Sequence, residues 1–337
     1  MNRFASSGRV TIDDVAVHAR VSKTTVSHVL SGNRPVAEPT RERVARAIRE
    51  LGYRPHGPAR SLRTKRSHLV ALIIPDITNP FYPTVARGLE LGMDGGGYHS
   101  IICNTDRRAD RELEFVEDVS ARGVDGIVID SYTLAMSELA EAIGSDMPVV
   151  WIGGSAEEHP GADTVRVDDG RGACEATRHL IARGHRRIAM IEGPRGAGIA
   201  RNRGYREALR GAGIPFRQEL VVPGEWTREG GAQAMRRLLP LRRPPSAVFC
   251  ANDRMALGAF DALREAALRV PDHVAVAGFD DIEAASMVAP ALTTVSNPAF
   301  ETGRVAGELL TQRMTGAYRG PARTVTLPCS LVVRSST

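Results

Sequence analysis

Cysteine is scarce: four residues in 337, at positions 103, 174, 250 and 329, with no C-x-x-C pair among them. That excludes a disulfide framework, offers no zinc motif, and leaves free buried thiols as the expectation. Long apolar runs are missing too. None approaches the roughly 18 to 20 residues that span a bilayer, and the opening MNRFASSGRV lacks the apolar core of a signal peptide. The chain therefore reads as cytoplasmic, with no membrane partner. H-E-x-x-H and G-x-S-x-G are absent, and the histidines show no metal spacing. The segment GPRGAG lacks both the Lys-Ser/Thr ending of a P-loop and the spacing of a dinucleotide fingerprint. No metal, cofactor or catalytic constellation can be named, so the expectation is a protein that is not an enzyme.

What is present is ordinary in bulk, with 42% hydrophobic and 25% charged residues, and uneven along the chain. Residues 1–68 hold 14 of the 44 Lys and Arg but only 5 of the 39 Asp and Glu, which leaves 30 against 34 for the remainder. A basic head on a mildly acidic body points to a polyanion partner for the head, although a solvated basic tail would give the same count.

Three short amphipathic patterns fill the head, residues 1–53. Ile12, Val15, Ala16 and Ala19 form the first apolar stripe, with Thr11 as N-cap and Asp13 and Asp14 at the positive end of the helix dipole. The second is VSKTTVSHVL, where Ser22 can cap and Val26, Val29 and Leu30 share one side. Lys23, Thr24, Ser27 and His28 share the other. The third starts near Glu38, tolerates Pro39 in its first turn, and faces Val44, Ala47, Ile48 and Leu51 inward. Helices this short are stable only when packed on each other. Residues 54–67, rich in Pro, Gly and Arg, read as a linker in which Pro58 can open one or two helical turns.

From residue 68 to 337, short apolar runs alternate with helical patterns: LVALIIP, HSIIC, DGIVID, PVVWIG, RIAMIEG, SAVFCAN and VAVAGFDD. This rhythm predicts parallel sheets covered by helices on both faces. About 270 residues exceed what one core usually serves, so two α/β lobes are expected. Ligands of open parallel sheets bind beyond the carboxyl ends of the strands, which directs attention to the residues just after these runs.

A helix, a tight turn and a second helix displaying Lys, Thr, Ser and His fit a helix-turn-helix reading the major groove of double-stranded DNA. Lys23 can donate to guanine N7 and O6, Thr24 and His28 can bond base edges, and Thr25 or Ser27 can reach phosphate. The alternative is a solvated helix face. The run TIDDVAVHARVSKTTVSHVLSGNRPVAEPTRERVARAIRELGYRP is similar throughout to the DNA-binding domain of the lactose and galactose repressor family. IPDITNPFY, FCANDRMALGAF, GFDD, PALTTV and the terminal LVVRSST resemble that family's regulatory domain.

The resemblance implies a homodimeric transcription regulator, most simply a repressor, that binds a pseudo-palindromic operator under control of a small-molecule effector. It puts Lys23, Thr24 and His28 at base-reading positions. Ala59, Arg60, Leu62 and Arg63 match the hinge helix, with Leu62 as the leucine wedged into a central base step. Without the resemblance, Leu62 would be an apolar anchor. His56-Gly57-Pro58 departs from the more helix-compatible residues often found there, which puts the hinge helix's length in question. The resemblance further implies a fold like the periplasmic sugar-binding proteins, with Asp280, Arg201, Asn252, Asp253 and Trp226 around a ligand between the lobes, Phe81 and Tyr82 on its wall, and Arg195 reaching toward it. Each has a bland alternative: Asp280 or Asp253 as helix caps, Trp226 as core packing, Arg201 in a surface ion pair. A sugar effector is favoured, the alternative being a corepressor-dependent regulator that senses a purine or nucleoside. The chain ends at Thr337 without a heptad-bearing tail, so a dimer is expected rather than a tetramer. Competing readings are a small-molecule binding or transport protein with a basic appendage, which a sequence-specific DNA footprint excludes, and an α/β enzyme, which turnover of a bound sugar would revive.

Overall fold

The head is built from three helices, α1 (Ile12–Ala19), α2 (Lys23–Ser31) and α3 (Glu38–Leu51). Thr11 caps α1 in a reciprocal capping box: its hydroxyl accepts from the Asp14 amide and the Asp14 carboxylate accepts from the Thr11 amide, satisfying two donors that the first turn leaves orphaned. Helix α3 carries Pro39 in its first turn and ends in left-handed Gly52. Val15, Ala16, Ala19, Val26, Val44 and Ala47 form the buried centre, with Ile12, Val21, Val29, Ile48, Leu51 and Tyr53 around it. Leu30 departs from the periodicity and is 39% exposed; so small a core does not reach the last turn of α2.

The computed structural model describes residues 10–31, 34–53, 66–131, 136–143, 147–154, 161–194 and 198–337. Ala59, Arg60, Leu62, Arg63 and Arg195 lie outside these residues. The chain divides into two units, Met1–Ser67 and His68–Thr337. The body begins with β1 (Leu69–Ile74), α4 (Phe81–Gly92), β2 (His99–Asn104), α5 (Ala109–Ala121), β3 (Gly126–Ile129), α6 (Met136–Ile143), β4 (Val149–Ile152) and β5 (Asp163–Val167). It continues with α7 (Asp169–Ala182), β6 (Ile188–Glu192), α8 (Ile199–Gly211), β7 (Val221–Pro223), α9 (Arg228–Leu238), β8 (Ala247–Cys250), α10 (Asp253–Glu265) and β9 (Ala275–Asp280). Last come α11 (Glu283–Met287), β10 (Thr293–Ser296), α12 (Ala299–Thr315), β11 (Thr324–Leu327) and β12 (Ser330–Val332).

These strands form two six-stranded sheets, β11-β5-β4-β3-β1-β2 and β12-β10-β9-β8-β6-β7. All neighbours are parallel except the antiparallel pair β10 and β12. In β1, Val70, Leu72 and Ile74 face one hydrophobic layer and Ala71 and Ile73 the other, which is why the strand reads as a continuous apolar run. The lobes are not consecutive halves of the chain. It leaves the first sheet after β5, returns from β10 into α12, and leaves again between β11 and β12.

Helices α4 and α12 touch backbone to backbone: a Cβ on Gly88 would stand 1.9 Å from the Phe300 carbonyl oxygen, and one on Gly303 1.9 Å from that of Val85. Fully buried Asp163 ties β11 to its neighbour through Arg313 at 2.7 Å and Arg323 at 2.7 Å. A buried carboxylate is tolerable when it is so completely paired. Among the described residues no helix is long and apolar enough to cross a membrane, and no group of His, Cys, Asp or Glu is placed to hold a metal ion.

Candidate functional site

On the head, α2 presents the polar face. Ser22 caps it by accepting from the Thr25 amide at 3.1 Å, and its hydroxyl lies 2.8 Å from that of Thr25, so Thr25 is engaged at the helix start. Val26 points fully inward, Lys23 and Thr24 are exposed, and Ser27 and His28 are half-buried. Lys23 is already paired, its Nζ donating to Asp13 Oδ2 on α1 at 2.9 Å.

In the body, the carboxyl ends of the strands bring polar groups of both lobes together. Arg201, in the first turn of α8, donates from Nε to Asp169 at 2.8 Å and from Nη1 to the Ala251 carbonyl. Its Nη2 stands 3.5 Å from Asp280 Oδ1. The guanidinium lies 3.7 Å from the Phe279 ring centroid and 5.4 Å from that of Trp226. Asp280 ends β9 and accepts from Asn297 Nδ2 at 3.1 Å. Burial pushes its carboxyl up to about 6 against the opposing pull of Arg201. Across from these groups Asp130 follows β3, and Tyr82 of α4 donates its hydroxyl to it at 3.0 Å. Burial raises Asp130 to about 7; the Tyr82 hydrogen bond and Arg201 oppose this, and Glu112 and Asp169 reinforce it. Phe81 is half-buried and meets Tyr82 edge to face at 5.2 Å.

Backbone strain concentrates at the same place. Asp280, Asp281, Glu225 and Trp226 all adopt positive φ, at 112°, 52°, 56° and 58°, a region unfavourable for residues with a Cβ and commonest at functional sites. Trp226 lies directly against the backbone of Gly193, where a Cβ would fall 2.0 Å from the ring. Its buried Nε1 and the buried Oδ1 of Asn297 have no hydrogen-bond partner among the described residues. Such atoms forfeit a hydrogen bond unless something else supplies one. Two bonds tie the lobes at the rim: Arg254 to Asp76 at 2.8 Å and Arg107 Nη1 to the Glu225 carbonyl at 2.5 Å.

The residues expected from the sequence are thus partly assembled here. Arg201, Trp226, Asp280, Phe81 and Tyr82 gather around the strand ends. Asn252 and Asp253 stand one layer behind. Asn252 caps α10, accepting from the Met255 amide at 2.9 Å and donating to the Trp226 carbonyl at 3.3 Å. Asp253 is fully buried, with both oxygens occupied by the Ile282 amide at 2.9 Å and the Thr294 hydroxyl at 2.5 Å. Burial and the negative charge of Asp280 hold its carboxyl well above its ordinary range. These two position the loop of Trp226 and the strained turn after β9. Sequence reasoning missed Asp130, Asp169 and Asn297, although Asp130 and Asp169 follow strands and the carboxyl-end rule points at such positions.

A helix-turn-helix head and a two-lobed α/β body with polar groups converging between its sheets define a ligand-responsive DNA-binding regulator. The comparisons agree with that class. Residues 11–56 match the model of the bacterial regulatory proteins of the lacI family, and residues 177–337 match a periplasmic binding protein-like domain. The chain is 35% identical to the HTH-type transcriptional repressor CytR of Escherichia coli K12 over 97% of its own length and 96% of the relative's. It is 37% identical to catabolite control protein A of Priestia megaterium over 90% and 92%. A lac repressor dimer bound to operator and the anti-inducer ONPF superposes with a TM-score of 0.87 at 28% identity, covering 98% of this chain and 99% of the other. The chain belongs to the lacI family of bacterial regulatory proteins and is a DNA-binding transcriptional regulator.

Proposed function

We propose that this regulator is a cytoplasmic repressor, not an enzyme, whose operator affinity is set by a neutral polyhydroxyl effector, a sugar, held between Arg201, Asp280, Asp130 and Trp226. The carrying observation is the pair of buried atoms at that spot that have no partner among the described residues, Trp226 Nε1 and Asn297 Oδ1. One offers a proton and the other accepts one, which a hydroxyl can satisfy in turn. Among the described residues, Asp130, Asp169 and Asp280 stand around them against the guanidinium of Arg201, already shared between two of the three. That surplus of acceptors favours ligands rich in donors and disfavours phosphorylated ones. The indole face suits the C–H surface of a sugar ring.

In this reading Lys23, Thr24 and His28 read bases, Thr25 and Ser27 support phosphate contacts, and Ala59 to Arg63 form the DNA-induced hinge with Leu62 as its wedge. Two subunits read the two half-sites of a pseudo-palindrome. Leu91, Ile101 and Met287, each a large exposed apolar residue, supply surface for dimer contact. By linkage, an effector lowers operator affinity only if it binds the DNA-free form more tightly, and raises it in the opposite case.

The test uses fluorescence, because the chain has two tryptophans and Trp151 is buried in the first lobe. Neutral sugars, nucleosides and their phosphates are titrated into the full-length protein. A saturable change with a neutral sugar, absent in Trp226→Phe and Arg201→Ala, supports the assignment. Saturable binding of a sugar, measured by heat, that survives Arg201→Ala and Asp280→Asn places the effector elsewhere; a response to nucleosides alone replaces the sugar.

A further inference from the structure

The first turn of α1 carries two acids, and the head uses them differently. Asp14 completes the capping box with Thr11. Asp13 takes no part in that box, and its partner is Lys23 Nζ at 2.9 Å. Both side chains are more than half exposed. An exposed ion pair of this kind adds little to folding, so stability gives little reason for the contact. The position makes it consequential. On the proposed reading, on which this inference rests, Lys23 opens the helix that enters the major groove, where a carboxylate beside it faces a polyanion on binding.

We propose that Asp13 is a positioning residue for base reading, holding Lys23 as a directional donor to a base edge instead of a mobile cation for phosphate. An ammonium has three N–H donors. With one committed to Asp13, two remain, which matches the adjacent O6 and N7 acceptors of guanine in the major groove. A lysine without that tether has a flexible four-carbon stem and pairs with any phosphate in reach, which adds affinity for all DNA alike. The carboxylate also cancels one positive charge in the nonspecific encounter. Asp13 therefore trades general DNA affinity for discrimination at one base pair of each half-site.

The experiment compares full-length wild type, Asp13→Asn, Asp13→Glu, Lys23→Ala and the double variant Asp13→Asn/Lys23→Ala. Each is taken through selection from a randomised duplex library, then through salt titrations with the selected duplex and with sheared heterologous DNA. For Asp13→Asn the expected result is tighter binding to heterologous DNA, with the slope of log K against log salt steeper by about 0.9. At one symmetric pair of positions, guanine preference falls by about fivefold or more. Asp13→Glu keeps the wild-type salt slope and recovers part of the preference. The double variant matches Lys23→Ala at that position, because Asp13 acts through Lys23. An unchanged motif in Asp13→Asn, with affinity raised equally for all duplexes, overturns positioning and leaves plain charge repulsion. Loss of preference at the same position when Asp13 is changed in the Lys23→Ala background overturns it as well, since Asp13 would then contact the base itself. Far-ultraviolet circular dichroism of each variant separates these outcomes from unfolding of the head.

Discussion

Replacing Asp130 by Asn should stabilise the body at alkaline pH and leave it unchanged in acid. Asp130 is 8% exposed, and its carboxyl is raised from 3.8 to about 7 in the folded chain, chiefly by burial. The sign follows from proton counts. Between about pH 4 and pH 7 the native state holds a proton that the unfolded chain has released, so stability falls as pH rises through that window. Below it both states are protonated and the penalty vanishes; above it the penalty is complete. Three units correspond to about 4 kcal/mol as a ceiling, and local relaxation and water entry reduce this to about 2 kcal/mol. For a body of this size that is about 4–8 °C in Tm. Asn keeps an acceptor for the Tyr82 hydroxyl and removes the charge. Glu112, Asp169 and Arg201 act on this site too, and because they are common to both proteins the difference isolates Asp130. Ligand-free wild type and Asp130→Asn are melted at pH 5 and pH 8 by tryptophan fluorescence, which reports the body alone since both tryptophans lie in it. A Tm difference equal at the two pH values, or a variant less stable at pH 8, refutes the reasoning.

Arg201→Ala leaves Asp169 and Asp280 without their shared cation at a site where the arginine side chain is 12% exposed; we expect a loss of about 3 kcal/mol, seen as a lower body Tm, together with loss of effector binding in calorimetry. Gly193→Ala puts a methyl 2.0 Å from the Trp226 ring, so the indole must move; its fluorescence should shift in the free protein and effector affinity should fall at least tenfold. Val26→Ala opens a cavity in the head's small core and costs about 2 kcal/mol, a large share of what so small a unit holds. DNA retardation should collapse while the tryptophan melt of the body stays where it was.

Elements whose residues all share one environment were legible in the sequence. Strands β1, β3, β4, β6, β8 and β9 are buried on both faces and stand out as apolar runs, and the three head helices show their stripes. Strand β10 does not stand out, because Thr293 and Thr294 are polar residues that are fully buried. Their side chains are satisfied from far along the chain, Thr293 by Thr337 at 2.9 Å and Thr294 by Asp253 at 2.5 Å. No local pattern encodes such partners. Asp253 has partners hidden in the same way: a carboxylate after a strand shows nothing locally of the Ile282 amide and Thr294 hydroxyl that its oxygens accept from. The edge strands β7 and β11 mix polar and apolar residues and have only one neighbour each, so their pattern is weak.

The interleaving of the lobes was hidden as well, and it changes what the site means. The chain passes between the sheets just after β5 and just after β10, and each crossing delivers a polar side chain to the same cluster. Asp169, beyond the first, holds Arg201 at 2.8 Å, and Asn297, beyond the second, holds Asp280 at 3.1 Å. Arg201 and Asp280 belong to the second lobe, whereas Asp130, whose charge environment includes Asp169 and Arg201, belongs to the first. A rotation of one lobe against the other must bend those crossings, and bending them moves the partners of Arg201 and Asp280, the two residues proposed above to grip the effector. On the proposed reading, filling the site and setting the angle between the lobes are coupled, and a ligand that completes the bonds of Trp226 Nε1 and Asn297 Oδ1 shifts the lobes by as much as it binds one arrangement more tightly than another.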